Sequence, residues 1–197
     1  MNNIAISILC GGKSSRMGTD KAFLELAGKS LISRAIELAR EVSQEVMIIG
    51  DPQKFASYGD AIPDIFPGSG PLAGIHAALT ASRADWNFIL AVDLPFLNAA
   101  FLKYMLDQAQ SSRATVTVAL TGGFYHPLCA IYRKQFATLA GKALSAGRNK
   151  IDALFNGVQL RTVTEEELAA HGFDASIFRN LNTREGWEQA QREFTST

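Results

Sequence analysis

Ile4-Ala5-Ile6-Ser7-Ile8-Leu9 runs directly into Cys10-Gly11-Gly12-Lys13-Ser14-Ser15-Arg16-Met17-Gly18-Thr19-Asp20-Lys21. The first six residues form a mostly apolar run of strand length, the pattern of a strand buried on both faces. The glycines after it let the backbone approach a bulky anion and point successive N–H groups at it. Arg16 and Lys21 bring two mobile positive charges to the same loop, which suits a polyphosphate that must be held and then cleaved. A helical pattern capped by Ser30 follows. The order strand, glycine-rich loop, helix predicts an α/β chain that binds a nucleoside triphosphate.

The rest of the chain repeats the alternation. The patterns predict a helix from the Ser30 cap to about Val42, a strand over Val46–Ile49 and a helix over Leu72–Ala81. A buried strand over Phe88–Val92 places Asp93 at its C-terminal end, and Asn98 caps a helix reaching about Gln110. Strands are expected at Thr115–Leu120, Leu128–Tyr132 and Val158–Val163, with helices at Lys134–Ala146 and Ile151–Phe155. Thr164 and Glu167 form a capping box for a helix to about Ala170, and Thr183 caps a final helix over Arg184–Phe194. This predicts a three-layer sandwich around a mostly parallel central sheet, a Rossmann-like fold, with residues 1–197 as one domain. Ligands of such sheets collect beyond the carboxyl ends of the strands. The first loop, the Asp64 loop and Asp93 all fall there.

Composition narrows the function. Lysine plus arginine and aspartate plus glutamate both total 19, without the basic excess of a dedicated nucleic-acid binder. Two cysteines, Cys10 and Cys129, are too few for a disulfide framework or a cysteine zinc site. No apolar stretch reaches the roughly 18 residues that span a bilayer, and the N-terminus shows no secretion pattern. The expected setting is the cytoplasm, with no membrane partner.

The glycine loop fits neither of the commonest nucleotide motifs. Gly12-Lys13-Ser14 ends like a Walker A loop, but the position five before Gly12 is Ser7, inside the strand, where that motif needs glycine. Gly68-x-Gly70-x-x-Ala73 has dinucleotide spacing, but Pro67 and Pro71 interrupt it. Asp93, followed by Leu94-Pro95, is a fixed carboxylate at the ligand edge. Mg²⁺ takes one or two such groups and completes its shell with water and substrate phosphates. Asp64 in its Pro/Gly loop, His126 before Pro127, and Asn180-Leu181-Asn182-Thr183 read equally as turn or cap residues or as contacts to a polar substrate.

Taken together, these stretches resemble the bacterial molybdenum cofactor guanylyltransferases, within the wider nucleotidyltransferase group. The resemblance rests on Leu9-Cys10-Gly11-Gly12 through Arg16-Met17-Gly18-x-Asp20-Lys21, on Asp64 with Gly70-Pro71-Leu72-Ala73-Gly74, and on Asp93-Leu94-Pro95, His126-Pro127-Leu128 and Asn180-Leu181-Asn182-Thr183. It implies transfer of GMP from GTP to molybdenum-molybdopterin, with release of pyrophosphate. GTP would be held by Leu9, Cys10, Gly11, Gly12, Lys21, Asp64 and Asp93. Asp93 would bind Mg²⁺, and Arg16 and Lys21 would act with it in catalysis. His126, Asn180 and Asn182 would face the pterin. Cys10 would be a small packing residue rather than a catalytic thiol. The family further implies a monomer that meets other cofactor-pathway proteins and apo-molybdoenzymes transiently.

Two departures stand out. Relatives commonly carry alanine at the position of Cys10, and some carry a nucleotide-contacting asparagine after the second strand, where this chain has Gly50-Asp51. Gly12 and Gly70-Pro71-Leu72 resemble the guanine group rather than its sister that transfers CMP to the same pterin. Cytidylyl transfer, nucleotidyl transfer to a sugar phosphate, and a cofactor carrier without catalysis remain the competing readings.

Overall fold

A computed structural model describes residues 4–11 and 20–195. The frame is a seven-stranded sheet: β1 (Ile4–Leu9), β4 (Glu45–Ile49), β5 (Ala61–Ile62), β6 (Trp86–Ala91), β7 (Val116–Thr121), β8 (Phe124–Arg133) and β9 (Leu160–Thr164), in the order β5-β4-β1-β6-β8-β7-β9. All neighbouring pairs are parallel except those of β8, which runs antiparallel to both β6 and β7. All six residues of β1 are buried, as expected of a strand covered on both faces.

Helices cover the two faces. On one, α1 (Leu31–Arg40) and α4 (Ala99–Ser111) set Ile32, Ile36, Phe101, Leu102 and Met105 against Ile6, Ile8, Phe88 and Leu90. On the other, α3 (Pro71–Ala81) and α5 (Phe136–Ser145) set Leu72, Ile75, Leu79, Phe136 and Ala140 against Leu9, Ile89, Val118 and Tyr132. The three-layer, mostly parallel architecture is the one the alternation predicts.

The predicted caps are in place. Ser30 accepts from Ser33 N, Asn98 from Phe101 N, and Thr164 and Glu167 complete the capping box of α6 (Glu165–Ala170). The last helix, α7 (Arg184–Thr195), starts with Gly186 N donating to Thr183 Oγ1 at 3.1 Å.

Several local features differ from the sequence expectation. The chain does not pass straight from the glycine loop into α1. A 3₁₀ turn over Lys21–Phe23 and a hairpin of β2 (Glu25–Leu26) and β3 (Lys29–Ser30) come first. The hairpin turns on Ala27 and Gly28, with φ of 48° and 75°, and alanine is not a residue that advertises a left-handed position. Gly50-Asp51 leads into the short helix α2 (Pro52–Phe55), capped by Asp51 accepting from Gln53 N at 2.9 Å. The segment near Ile151 is a 3₁₀ helix, Asp152–Gly157, and a further 3₁₀ turn spans Ala175–Phe178.

β8 is also longer than predicted. It pairs with β7 through a Gly122-Gly123 turn, both glycines at positive φ. Ala119 alone stands opposite His126-Pro127-Leu128-Cys129, between the pairs Val118↔Ala130 and Leu120↔Tyr125. This bulge accommodates Pro127, whose carbonyl accepts from Tyr132 Oη at 2.8 Å. Bulges commonly re-aim side chains next to functional sites.

Candidate active site

The strand ends place two clusters beyond the carboxyl edge of the sheet. β1 and β6 pair in register to Leu9↔Ala91, so Gly11 and Asp93 each follow two residues after that last rung. Val92 N donates to Leu9 O at 3.2 Å and keeps the strand ends together past the ladder.

The first cluster forms around Asp93. Lys21 Nζ lies 3.5 Å from Asp93 Oδ2 and also donates to Asn182 Oδ1. Three chain segments meet here. Lys21 comes from the 3₁₀ turn after the glycine loop, capped by Asp20 accepting from Ala22 N at 3.2 Å. Asp93 comes from the end of β6. Asn182 comes from the segment before α7, tied to the sheet by Leu181 N donating to Asp93 O at 3.3 Å. The Asp93 and Lys21 side chains are 23% and 21% exposed, so both reach solvent from a fixed position.

The second cluster forms around Asp64, which follows β5 and turns back over β1. A Cβ added at Gly11 would stand 3.9 Å from Asp64 Oδ2, and one at Gly74 would stand 3.7 Å from Oδ1. The added Gly74 Cβ would also press on Leu9 Cδ2 at 3.2 Å. Gly74 is buried and lets Leu9 and the carboxylate close on α3, while Gly11 is exposed beside the carboxylate, where its backbone can be reached by a ligand. Gly74 lies in the first turns of α3, whose N-cap Gly70 has φ 77° and supplies no side-chain cap. That helix start can favour negative charge near it.

Burial raises the pKa of Asp64 above the ordinary carboxylate range. The unfolded chain then releases the proton at lower pH than the native chain, so stability falls as pH rises between the two pKa values. The loss is complete above the folded value. Asp64→Asn is therefore expected to raise the melting temperature at pH 7, to lose that gain below the ordinary carboxylate range, and to weaken nucleotide binding. Thermal melts across pH with a nucleotide titration at pH 7 check it. An unchanged melting temperature at pH 7 would contradict the desolvation argument.

Other predicted residues take different positions. Cys10 is buried against the α1 layer, and burial, with a smaller contribution from the Asp20 charge, pushes its thiol pKa up to about 12. That is the behaviour of a packing residue, not a nucleophile. His126 is stacked on Phe178, ring centroids 3.9 Å apart at 12°, and its Nε2 is 2.7 Å from Thr121 Oγ1. Burial lowers its pKa, favouring the neutral imidazole. Asn180 is exposed. Gly12 and Arg16 lie outside the described residues, as do Lys13 through Gly18 as a whole.

The departure at Gly50-Asp51 has a packing reason. Asp51 is engaged as the cap of α2, and a Cβ at Gly50 would meet Phe55 Cε2 at 2.8 Å. Phe55 stacks in turn on Phe23, two residues from Lys21, with ring centroids 5.3 Å apart. Sequence reasoning quoted Leu181 and Gly74 within their blocks but gave neither a role. An apolar residue between two asparagines was the available signal for an anchored backbone in the first case. The second lay inside a recognised block but had no assigned role.

Among the described residues no group of three or more histidine, cysteine, aspartate or glutamate side chains could hold a metal ion. Asp93 offers a single carboxylate. That donor set does not fit a metal bound by protein alone, but it fits Mg²⁺ shared with substrate phosphates. No helix among the described residues is long and apolar enough to cross a membrane.

A glycine at a strand end, a lysine beside a carboxylate at the switch between parallel strands, and a second carboxylate nearby form a polar cluster at the ligand edge of an α/β sheet. Comparison with known proteins narrows this. Residues 6–163 match the family model of the MobA-like NTP transferase domain, and the chain belongs to that family. It is 32% identical over 196 residues to a probable molybdenum cofactor guanylyltransferase of Carboxydothermus hydrogenoformans, covering 99% of this chain and 98% of that one. It is also 32% identical over 194 residues to the molybdenum cofactor guanylyltransferase of Desulfosudis oleivorans, covering 97% and 96%. Its fold is shared with the crystal structure of molybdopterin-guanine dinucleotide biosynthesis protein A from Archaeoglobus fulgidus, at a TM-score of 0.85 and 23% identity, over 98% of this chain and 100% of that one.

Proposed function

We propose that this nucleotidyltransferase moves GMP from GTP to molybdenum-molybdopterin, giving the guanine dinucleotide cofactor and pyrophosphate. The observation that carries the reading is the pairing of two half-sites across the β1 and β6 strand ends. Lys21 and Asp93 suit phosphates, while Asp64 over Gly11 and Gly74 suits the nucleoside end. The full-length similarity to proteins named for this activity supports the choice of acceptor.

The terminal phosphate of the pterin attacks the α-phosphorus of GTP, a P–O bond forms, and the bond to the β-phosphate oxygen breaks as pyrophosphate leaves. No side-chain nucleophile is required, because the acceptor phosphate supplies the electron pair. Positioning and charge neutralisation carry such a transfer. Lys21 orients and neutralises phosphate oxygens, and Arg16 does the same for the β- and γ-phosphates. Asp93 would hold Mg²⁺, which would supply neutralisation of phosphate charge. Leu9, Gly11 and Asp64 would contact the nucleoside end together with Gly12, Cys10 is a packing residue, and His126 and Asn180 would contact the acceptor. The reading includes a cytoplasmic, monomeric enzyme with transient contacts to the apo-molybdoenzymes that receive its product.

The test is incubation with Mg²⁺, molybdenum-loaded pterin and each of GTP, CTP, ATP and UTP in turn. Guanine dinucleotide is expected with GTP alone. Pyrophosphate release with CTP alone would make the protein a cytidylyltransferase, and no product with any nucleotide would favour a carrier.

A further inference from the structure

The family match ends at residue 163, yet Asn182 reaches the lysine of the candidate phosphate site. We infer that the Asn180–Thr183 segment is an integral strap of the nucleotide half-site, and that Asn182 is a positioning residue for Lys21. The inference rests on the reading of Lys21 and Asp93 as the triphosphate end. It moves Asn182 from the acceptor side to the nucleotide side.

The strap is anchored in two ways at Leu181, and again at Thr183 by bonds from the start of α7. Its backbone is bound to the strand end that carries Asp93, through Leu181 N to Asp93 O at 3.3 Å. The Leu181 side chain is 1% exposed and packs with Leu26, Leu31 and Ala190, joined by Val92, Phe96 and Trp187. This small core ties the β2–β3 hairpin, α1 and α7 together. The hairpin directly follows the turn that bears Lys21. One apolar cluster therefore sets the spacing between the element carrying Lys21 and the element carrying Asn182.

The chemistry explains why an amide is suitable there. A lysine next to a metal-binding aspartate poses a problem, because a tight ion pair would compete with the cation for the carboxylate. Here the ammonium stands 3.5 Å from Asp93 Oδ2 while also donating to the neutral Asn182 oxygen. Asn182 draws the ammonium aside without adding charge. Asp93 keeps lone pairs for a metal, and Lys21 stays poised for phosphate. Without Asn182, a contact that holds Lys21 off Asp93 is lost.

The test uses the full chain with Asn182→Ala, Lys21→Ala and the double variant. Mg²⁺-dependent GTP binding is measured by calorimetry, without any pterin. Asn182 is exposed and its backbone neighbour does the anchoring, so the fold should persist, as circular dichroism would verify. Loss of a hydrogen bond to a charged group predicts that Asn182→Ala raises the Mg²⁺ concentration for half-maximal GTP binding by roughly tenfold. If Asn182 acts through Lys21, adding Asn182→Ala to Lys21→Ala should cost nothing further. An unchanged Mg²⁺ half-point in Asn182→Ala would overturn the inference, and so would independent, additive losses. A parent chain that binds no Mg²⁺·GTP would instead overturn the nucleotide reading itself.

Discussion

Asp93→Ala is expected to lower the turnover of guanylyl transfer by roughly 10²–10³-fold, the usual cost of removing a preorganised charge from a transfer site. The same variant should melt within about 2 °C of the parent, since changes at partly exposed positions away from the core rarely exceed half a kcal/mol. The two expectations separate because of how Asp93 is built in. Its carbonyl oxygen, not its carboxylate, accepts from Leu181 N, so alanine keeps the strap attached. Lys21 keeps its bond to Asn182. What disappears is the proposed metal carboxylate, together with its 3.5 Å contact to Lys21. Steady-state rates over a Mg²⁺ series beside a thermal melt check this. Near-parental turnover at saturating Mg²⁺ would show that the metal is held elsewhere. A large fall in melting temperature would show that the carboxylate has a structural role that its 23% exposure does not suggest.

The parts of the fold legible in the sequence were those set by local patterns. Mostly apolar runs such as Ile4–Leu9, and side-chain caps such as Ser30, Asn98 and Thr164 with Glu167, act within a few residues and appear where expected. Elements dependent on backbone exceptions were harder to read. Ala27 in the left-handed region hides the β2–β3 hairpin, and the His126–Cys129 bulge lets Pro127 sit inside β8. The antiparallel sense of β8 was also hidden, because a buried strand reads the same in either direction.

The candidate site divides the same way. Lys21, Asp64 and Asp93 were identified by residue type at loop and strand ends, and they lie at the carboxyl edge of the sheet. The contact between Asn182 and Lys21 spans 161 residues and depends on the burial of Leu181, so no local spacing encodes it. Asn180-Leu181-Asn182 carried the clue only as alternation, an anchored apolar residue between two that project.

Phe178→Ala is expected to destabilise the chain by about 3–5 kcal/mol, the range for truncating a buried phenylalanine, and to lower its melting temperature by roughly 10 °C. Phe178 is 6% exposed and lies in the α1 and α4 core. Its ring meets Phe101 edge-on at 5.3 Å and stacks on His126 at 3.9 Å. It is also the last buried side chain before the Asn180–Thr183 strap, followed by Arg179, which pairs with Glu193 and lies over the Phe96 ring. Alanine there leaves a cavity beneath α4 and loosens the approach to the strap, while Arg179, Leu181 and Thr183 still hold it. Stability and function should therefore fail together but unequally. Well below the new melting temperature, with the chain folded, the Mg²⁺ half-point for GTP binding should shift in the same direction as in Asn182→Ala, but less. Chemical denaturation with parallel calorimetry at 10 °C distinguishes the outcomes. A stability loss with an unchanged Mg²⁺ half-point would mean that the strap is positioned without Phe178, which would then be core and nothing more. A stability loss under 1 kcal/mol would mean that the C-terminal segment packs on a domain already stable without it.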